Sequence, residues 1–315
     1  MSEAALAAQR VENAALNARC AANPREAANF AALLRRTPHA EKVKWIWRSA
    51  GLNLSALVRL LLADGLSPNT TDPEQGNGSL LHLAAHNGAI DVVRLLLEAG
   101  ADANSFDDLG NTPLQAAIRH SKLTCIRELI PHTDLRIFNA YGQNALHSSI
   151  MHNQPEGFKL LLPHFADNVD VHTIKPRPPC DPDSPYNATP LFAACQGGYH
   201  AMVKALLAAG ASRTAHRSDS FSCLHFAAQE GHLACITLLI GRPENQKMRA
   251  AEINAQANEG QTALYVAAAN GHRYCCAALL AAGAEPAVVT HDGHTALDAA
   301  KHFHPGNQEL IELLE

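Results

Sequence analysis

Ser79-Leu80-Leu81-His82-Leu83-Ala84-Ala85-His86-Asn87-Gly88, followed by Val92-Val93-Arg94-Leu95-Leu96-Leu97-Glu98-Ala99-Gly100-Ala101-Asp102, decides the fold. The stretch reads as a short helix, a glycine turn, a leucine-rich second helix and a glycine stop. Related stretches begin at Thr112-Pro113-Leu114, Asn144-Ala145-Leu146, Thr189-Pro190-Leu191, Ser222-Cys223-Leu224, Thr262-Ala263-Leu264 and Thr295-Ala296-Leu297. The anchor leucines Leu81, Leu114, Leu146, Leu191, Leu224, Leu264 and Leu297 are spaced by 33, 32, 45, 33, 40 and 33 residues. A period of this size marks a stacked repeat architecture, in which each unit buries its apolar face only against its neighbours.

Local chemistry agrees with that reading. Each first helix is preceded by a side chain able to accept from an orphan backbone N–H: Ser79, Thr112, Asn144, Thr189, Ser222, Thr262 and Thr295. Pro113 and Pro190 occupy the first helical position, where no N–H is needed. Two residues before the caps stand Asn77, Gly110, Gly142, Asn187, Ser220, Gly260 and Gly293. Gly and Asn tolerate the positive φ of a tight turn, so Ser220 is expected to mark a finger of different shape. Gly65, Gly100, Gly210 and Gly283 are expected to end second helices, with Pro131 and Pro163 taking that role in two units. Within such a helix, Leu207 is expected in the core.

The pattern Thr-Pro-Leu-x-x-Ala-Ala, then Gly, then a Leu-Leu helix, then Gly-Ala, resembles the ankyrin repeat. The resemblance implies an all-α architecture: an α-solenoid with β-hairpin fingers, about eight repeats long, with an N-terminal helical cap. A degenerate first unit lies at Lys42–Asn69. Two domains are expected. Residues 1–40 form an Ala-rich extension with helices near 3–22 and 25–36, and residues 41–315 form the repeats. Insertions of 12 and 7 residues fall near 169–187 and 241–252. The first is rich in proline and reads as a loop. Residues 1–40 read as a cap over the first repeat, with a partner-binding helix as the other reading. Of Trp45 and Trp47, one is expected to pack in the cap and one to anchor the extension.

Net charge is −5, made of +4 in residues 1–50 and −9 elsewhere. Acidic repeats repel phosphate backbones, so nucleic acid is not expected as their partner. No apolar stretch approaches the 18 or so residues of a membrane span, and the N-terminus lacks the signature of a signal peptide. The eight cysteines are scattered with no Cys-x-x-Cys pair, and read as reduced core residues of a protein of the cytoplasm or nucleus. No nucleotide-binding, hydrolase or metalloprotease motif is present, and no cofactor is expected.

In the ankyrin family, partners contact finger tips and the exposed ends of first helices. Carried over by position, the resemblance implies a surface made of Leu109, Tyr141 and Tyr186, then the acids Asp219, Glu259 and Asp292, with Phe221, Arg119, Met151 and His152. Aromatic anchors flanked by charge suit a protein partner, and the acids suit a basic segment of it. Tyr141 and Tyr186 packed on the proline-rich insertion, and acids present for solubility, are the competing readings. Most of the eighteen histidines take places the repeat explains: His82, His147 and His225 in the Thr-Pro-Leu-His position, His232 and His272 after the helix-turn glycine. His86, His120 and His152 are left over, in consecutive units on the expected binding face. The functions implied are a non-catalytic scaffold or adaptor, an inhibitor or chaperone masking a partner's surface, or a targeting module for an enzyme elsewhere.

Overall fold

A computed structural model describes residues 3–71, 76–174, 188–215, 220–241 and 250–315, with side chains described from Glu12 onward. The chain divides into two compact units, Met1–Leu160 and Leu161–Glu315. The described parts of both are built from helix pairs.

In the first unit the helices are α1 (Glu3–Ala22), α2 (Pro24–Arg36), α3 (His39–Gly51), α4 (Ser55–Ala63), α5 (Leu80–Asn87), α6 (Ile90–Glu98), α7 (Pro113–Arg119), α8 (Leu123–Leu129), α9 (Ala145–Met151) and α10 (Pro155–Leu161). First helices stack in the order α3, α5, α7, α9, and second helices in the order α4, α6, α8. Ala84, Ala85 and Ala117 are fully buried, and their small side chains let neighbouring helices approach. Helices α1 and α2 pack on α4. There the Leu57 N–H donates to Asn17 Oδ1 at 3.2 Å, and Phe30 stacks on Trp45 at 5.7 Å between ring centroids. Trp45 is thus the tryptophan that holds the extension.

The second unit contains α11 (Pro190–Gln196), α12 (His200–Ala208), α13 (Cys223–Gln229), α14 (Leu233–Ile240), α15 (Ala250–Ile253), α16 (Ala263–Ala269), α17 (Arg273–Ala282), α18 (Ala296–Phe303) and α19 (Gln308–Leu314). Here α11, α13, α16 and α18 stack as first helices, and α12, α14 and α17 as second helices. The described ends of the longer insertion meet: the Thr173 N–H donates to the Ala188 carbonyl, and the Ala188 N–H to Thr173 Oγ1. Residues 175–187 and 242–249 of the two insertions lie outside the described residues. Helix α15 closes the shorter one and buries Ile253.

The expected caps are in place. Thr112, Asn144, Thr189, Ser222, Thr262 and Thr295 each accept the N–H three residues on, at 3.1–3.4 Å. Such a bond is worth about 1 kcal/mol. Gly65, Gly100, Gly210 and Gly283 end α4, α6, α12 and α17 at φ 95°, 82°, 91° and 104°. Pro131 and Pro163 instead carry α8 and α10 into 3-10 turns at Ile130–His132 and Leu162–Phe165.

One expectation is narrowed and one corrected. Ser220 takes φ 64°, the same left-handed region as the glycines at its position, so its own backbone does not depart from theirs, while residues 216–219 of that finger lie outside the described residues. Leu207 is only half-buried, and Leu206, fully buried, is the core residue of α12. Leu61, Leu96 and Leu279 hold the same place four residues before their terminal glycines and are likewise fully buried.

Candidate functional site

The fingers of the first unit are built on side-chain brackets. Asp107 Oδ1 accepts from the N–H groups of Leu109 and Asn111, at 3.0 and 2.7 Å, and Oδ2 accepts from Asn111 Nδ2 at 3.1 Å. One unit later Asn139 Oδ1 accepts from Tyr141 and Gln143 N–H, at 3.1 and 3.0 Å, while its Nδ2 donates to Asn111 Oδ1 at 2.9 Å. The Ala140 N–H donates to the Leu109 carbonyl at 2.7 Å, tying one finger to the next. The brackets fix the backbone beneath Tyr141, which stands 47% exposed. Leu109 is half-buried and serves the finger frame through its carbonyl.

Below the fingers, the ends of α5, α7 and α9 form the floor. The floor is positioned by bonds running from α5 and α7 to the finger of the next repeat. His82 Nδ1 accepts the Ser79 N–H at 3.0 Å, which leaves the proton on Nε2, and Nε2 donates to the Asn111 carbonyl at 2.8 Å. Gln115 does the same with an amide: Oε1 accepts the Thr112 N–H at 3.0 Å, and Nε2 donates to the Gln143 carbonyl at 2.9 Å. Burial holds the His82 imidazole below its ordinary pKa, against an opposing pull from the Asn111 hydrogen bond and the Asp107 and Asp102 charges.

Between fingers and floor lies a groove of about 330 Å³, lined by His86, Arg119, His120, Tyr141, Met151 and His152 among others. The His86 and His120 rings lie 3.7 Å apart between centroids. An adjoining groove of about 360 Å³ runs along Ser79, His82 and His86 to Trp47. All three floor histidines are held below the ordinary imidazole pKa, first by partial burial. Lys122 and Arg119 add to this at His86, His86 and Arg119 lead the added effects at His120, and Arg119 alone adds at His152. Among the described residues no group of three or more His, Cys, Asp or Glu side chains is placed to hold a metal ion.

Arg119, Tyr141, Met151 and His152, expected from the sequence, therefore line one groove. Glu259 and Asp292 are exposed on fingers of the second unit. Phe221 belongs to the second unit's packing, its ring 5.3 Å from Phe226 and 5.2 Å from His225. Tyr186 and Asp219 lie outside the described residues. The sequence put His86 and His120 on the expected binding face without counting them among the contact residues, and did not decide which of Trp45 and Trp47 packs in the cap. Repeat register places both histidines at the end of the first helix in their repeats.

Family models for ankyrin repeats match this chain over residues 53–97, 81–173, 169–250 and 246–315. The chain belongs to the ankyrin-repeat family. Among curated ankyrin-type relatives, the human transient receptor potential cation channel subfamily A member 1 is 30% identical over 234 residues, 74% of this chain and 20% of the channel. The mouse B-cell lymphoma 3 protein homolog is 30% identical over 194 residues, 60% of this chain and 41% of that protein. The chain thus spans less than half the length of either. A crystal structure of the ankyrin repeat domain of Bcl-3, a member of the IkappaB protein family, covers 85% of this chain and 96% of its own, with TM-score 0.51 and 23% identity, a likeness of fold. The ankyrin repeats make the chain a protein–protein interaction module, and among the described residues no helix is long and apolar enough to cross a membrane.

Proposed function

We propose that this protein is a non-catalytic scaffold or adaptor that takes hold of another protein through the groove of its first unit, with Tyr141 as the anchor. One observation carries the reading. A tyrosine side chain projects over a pre-formed groove, on a finger whose backbone is bracketed by Asn139 and tied to its neighbour. A tyrosine on a rigid frame gives contact area and a hydrogen-bonding tip at low entropic cost, which suits a binding hot spot. Met151, 46% exposed on the floor opposite, supplies an apolar surface for the same contact. Residues 1–40 act in this reading as a cap, supported by the packing of α1 and α2 on α4.

The test is capture from a native extract of the protein's own cells. Wild type is compared with Tyr141→Ser and with Tyr274→Ser, a control on second helix α17 where the side chain is 68% exposed. Circular dichroism checks that both variants fold. A partner retained by wild type and by Tyr274→Ser, and lost with Tyr141→Ser, is the expected result. Equal capture by all three would move recognition away from this groove.

A second reading, an inhibitor or chaperone masking a basic surface, is favoured by Glu259 and Asp292, exposed acids on fingers of the second unit. Charge reversal of both should then slow association with the captured partner, most of all at low salt.

A further inference from the structure

We propose that the groove of the first unit is built for an acidic peptide segment of the partner, with a carboxylate meeting Arg119 and the His86–His120 pair and an apolar side chain seated between Tyr141 and Met151. This rests on the groove reading given above and names the chemistry of its occupant.

The carboxylate and backbone acceptors along the groove are largely engaged, while its one exposed guanidinium is not. Arg119 is exposed, and among the described residues no carboxylate pairs with it. The Trp47 indole N–H, in the adjoining groove, is buried and has no hydrogen-bond partner among the described residues. Buried donors are nearly always satisfied, so this one calls for an acceptor. The carboxylate of Asp107 lines both grooves, but its oxygens already receive Leu109 N–H, Asn111 N–H and Asn111 Nδ2. The carbonyls of Asn111 and Gln143 are taken by His82 and Gln115.

Charge points the same way. The groups that face the histidines are His86 from α5, Arg119 from α7, His120 and Lys122 from the turn after α7, His152 at the end of α9, and Asp107 from the finger. Lys122 is held close, its stem 3.0 Å from where a Cβ on Gly88 would stand, at the end of α5. The charges acting on His86, His120 and His152 are all cationic. An incoming carboxylate would meet this positive field without displacing an internal partner. A polyanionic nucleic acid fits less well, because two fixed cations are few and residues 51–315 carry −9. An exposed tyrosine and an exposed methionine on the walls suit an amino-acid side chain instead.

Protonation follows from the geometry. A carboxylate beside the imidazoles raises their pKa from the lowered free-state values, so binding takes up protons. Affinity should therefore grow as pH falls from 8 to 6.

The test is selection of a random dodecapeptide library on the full chain at pH 6, run in parallel on Arg119→Glu, Tyr141→Ser and the charge control Arg94→Gln, which lies on α6 away from the groove. The best peptide is then measured by fluorescence anisotropy at pH 6 and pH 8, beside a version with every Asp and Glu replaced by Asn and Gln. The expected result is enrichment of Asp and Glu around an apolar residue. Affinity should be about tenfold lower for the amide version and for Arg119→Glu, stronger at pH 6, and unchanged in Arg94→Gln. Peptides that need Tyr141 but are neutral or basic, or that ignore Arg119→Glu, would overturn the acidic occupant and leave the groove reading standing. Recovery only of peptides indifferent to Tyr141, or of none at all, would overturn both.

Discussion

The corner between the two helices of a repeat is sealed forward at Asn53 in the first unit and backward by three histidines in the second. In the first, Asn53 turns at φ 56° and reaches forward: its Oδ1 accepts the Val92 N–H and its Nδ2 donates to Asp91, both at the start of the next second helix. In the second, a histidine reaches back. His232, His272 and His304 donate through Nε2 to the carbonyls of Gln196, Gln229 and Ala269, each in the preceding repeat, at 2.9–3.1 Å. Their rings lie over Gly198, Gly231 and Gly271, where a Cβ would come within 2.6–3.0 Å of the imidazole. The equivalent corners of the first unit include Ser121 and Asn153, also at positive φ but bearing side chains. The backbone demands the left-handed turn in both units, and the ring above decides whether only glycine can supply it.

The histidines sharpen the contrast. In the second unit the three corner histidines are structural donors. In the first, His86, His120 and His152 stand on the groove floor, and the corners do without them. Place within the repeat, more than residue type, assigns the role.

The largest expected effect tests what the units share. Leu61→Ala in the first and Leu206→Ala in the second should each cost about 2–5 kcal/mol in urea unfolding, since both side chains are fully buried four residues before a terminal glycine. Leu207→Ala should cost about 1 kcal/mol or less; equality with Leu206→Ala would overturn the common register. Next comes the corner itself. Gly198→Ala should cost roughly 2–3 kcal/mol, because strain at positive φ adds to a collision with the His232 ring. Gly88→Ala, meeting only the movable stem of Lys122, should stay near 1 kcal/mol. Similar melting temperatures for the two would remove the proposed difference between corners.

A smaller effect is expected at His82. Its folded pKa is lowered, so the unfolded chain binds more protons just below pH 6.5, and stability falls as pH drops through that window. His82→Gln copies the arrangement Gln115 already makes one repeat later, and should change stability at pH 7.5 by less than about 1 kcal/mol. It should also flatten the loss between pH 7 and 5, read from thermal melts. The smallest effect is expected of the thiols, which should not distinguish the units. Burial raises Cys235 to about 11 and Cys276 to about 12, and all seven described cysteines are buried and unpaired. Ellman's reagent should leave them unmodified in the native protein and react with them after denaturation.

What the sequence made legible was local. A Ser, Thr or Asn cap, a proline at the first helical position and a terminal glycine each announce a bond within a few residues, and those assignments hold. Leu206 and Leu207 could not be ranked, because two adjacent leucines both satisfy a helical period. Ser220 keeps the left-handed turn without a glycine, because the preference for glycine is a matter of roughly 1 kcal/mol, which the surrounding finger can override. The groove was half-visible. Tyr141, Arg119, Met151 and His152 follow from repeat position. The meeting of His86 with His120 required knowing that one helix end lies over the next, and Trp47 sits in a unit with no cap motif to set its register.

The back-reaching histidines also bear on how such a chain can lengthen. The two second-unit repeats with Gly231-His232 and Gly271-His272 carry both halves of a mating rule, a glycine corner and a ring that fits the glycine before it. Tandem duplication of either repeat places each ring over a compatible corner, whatever the copy number. Moved behind Asn53 or Ser121, the same repeat would lay its imidazole on a side chain. Growth by copying is thus open to these two repeats and closed at most corners of the first unit.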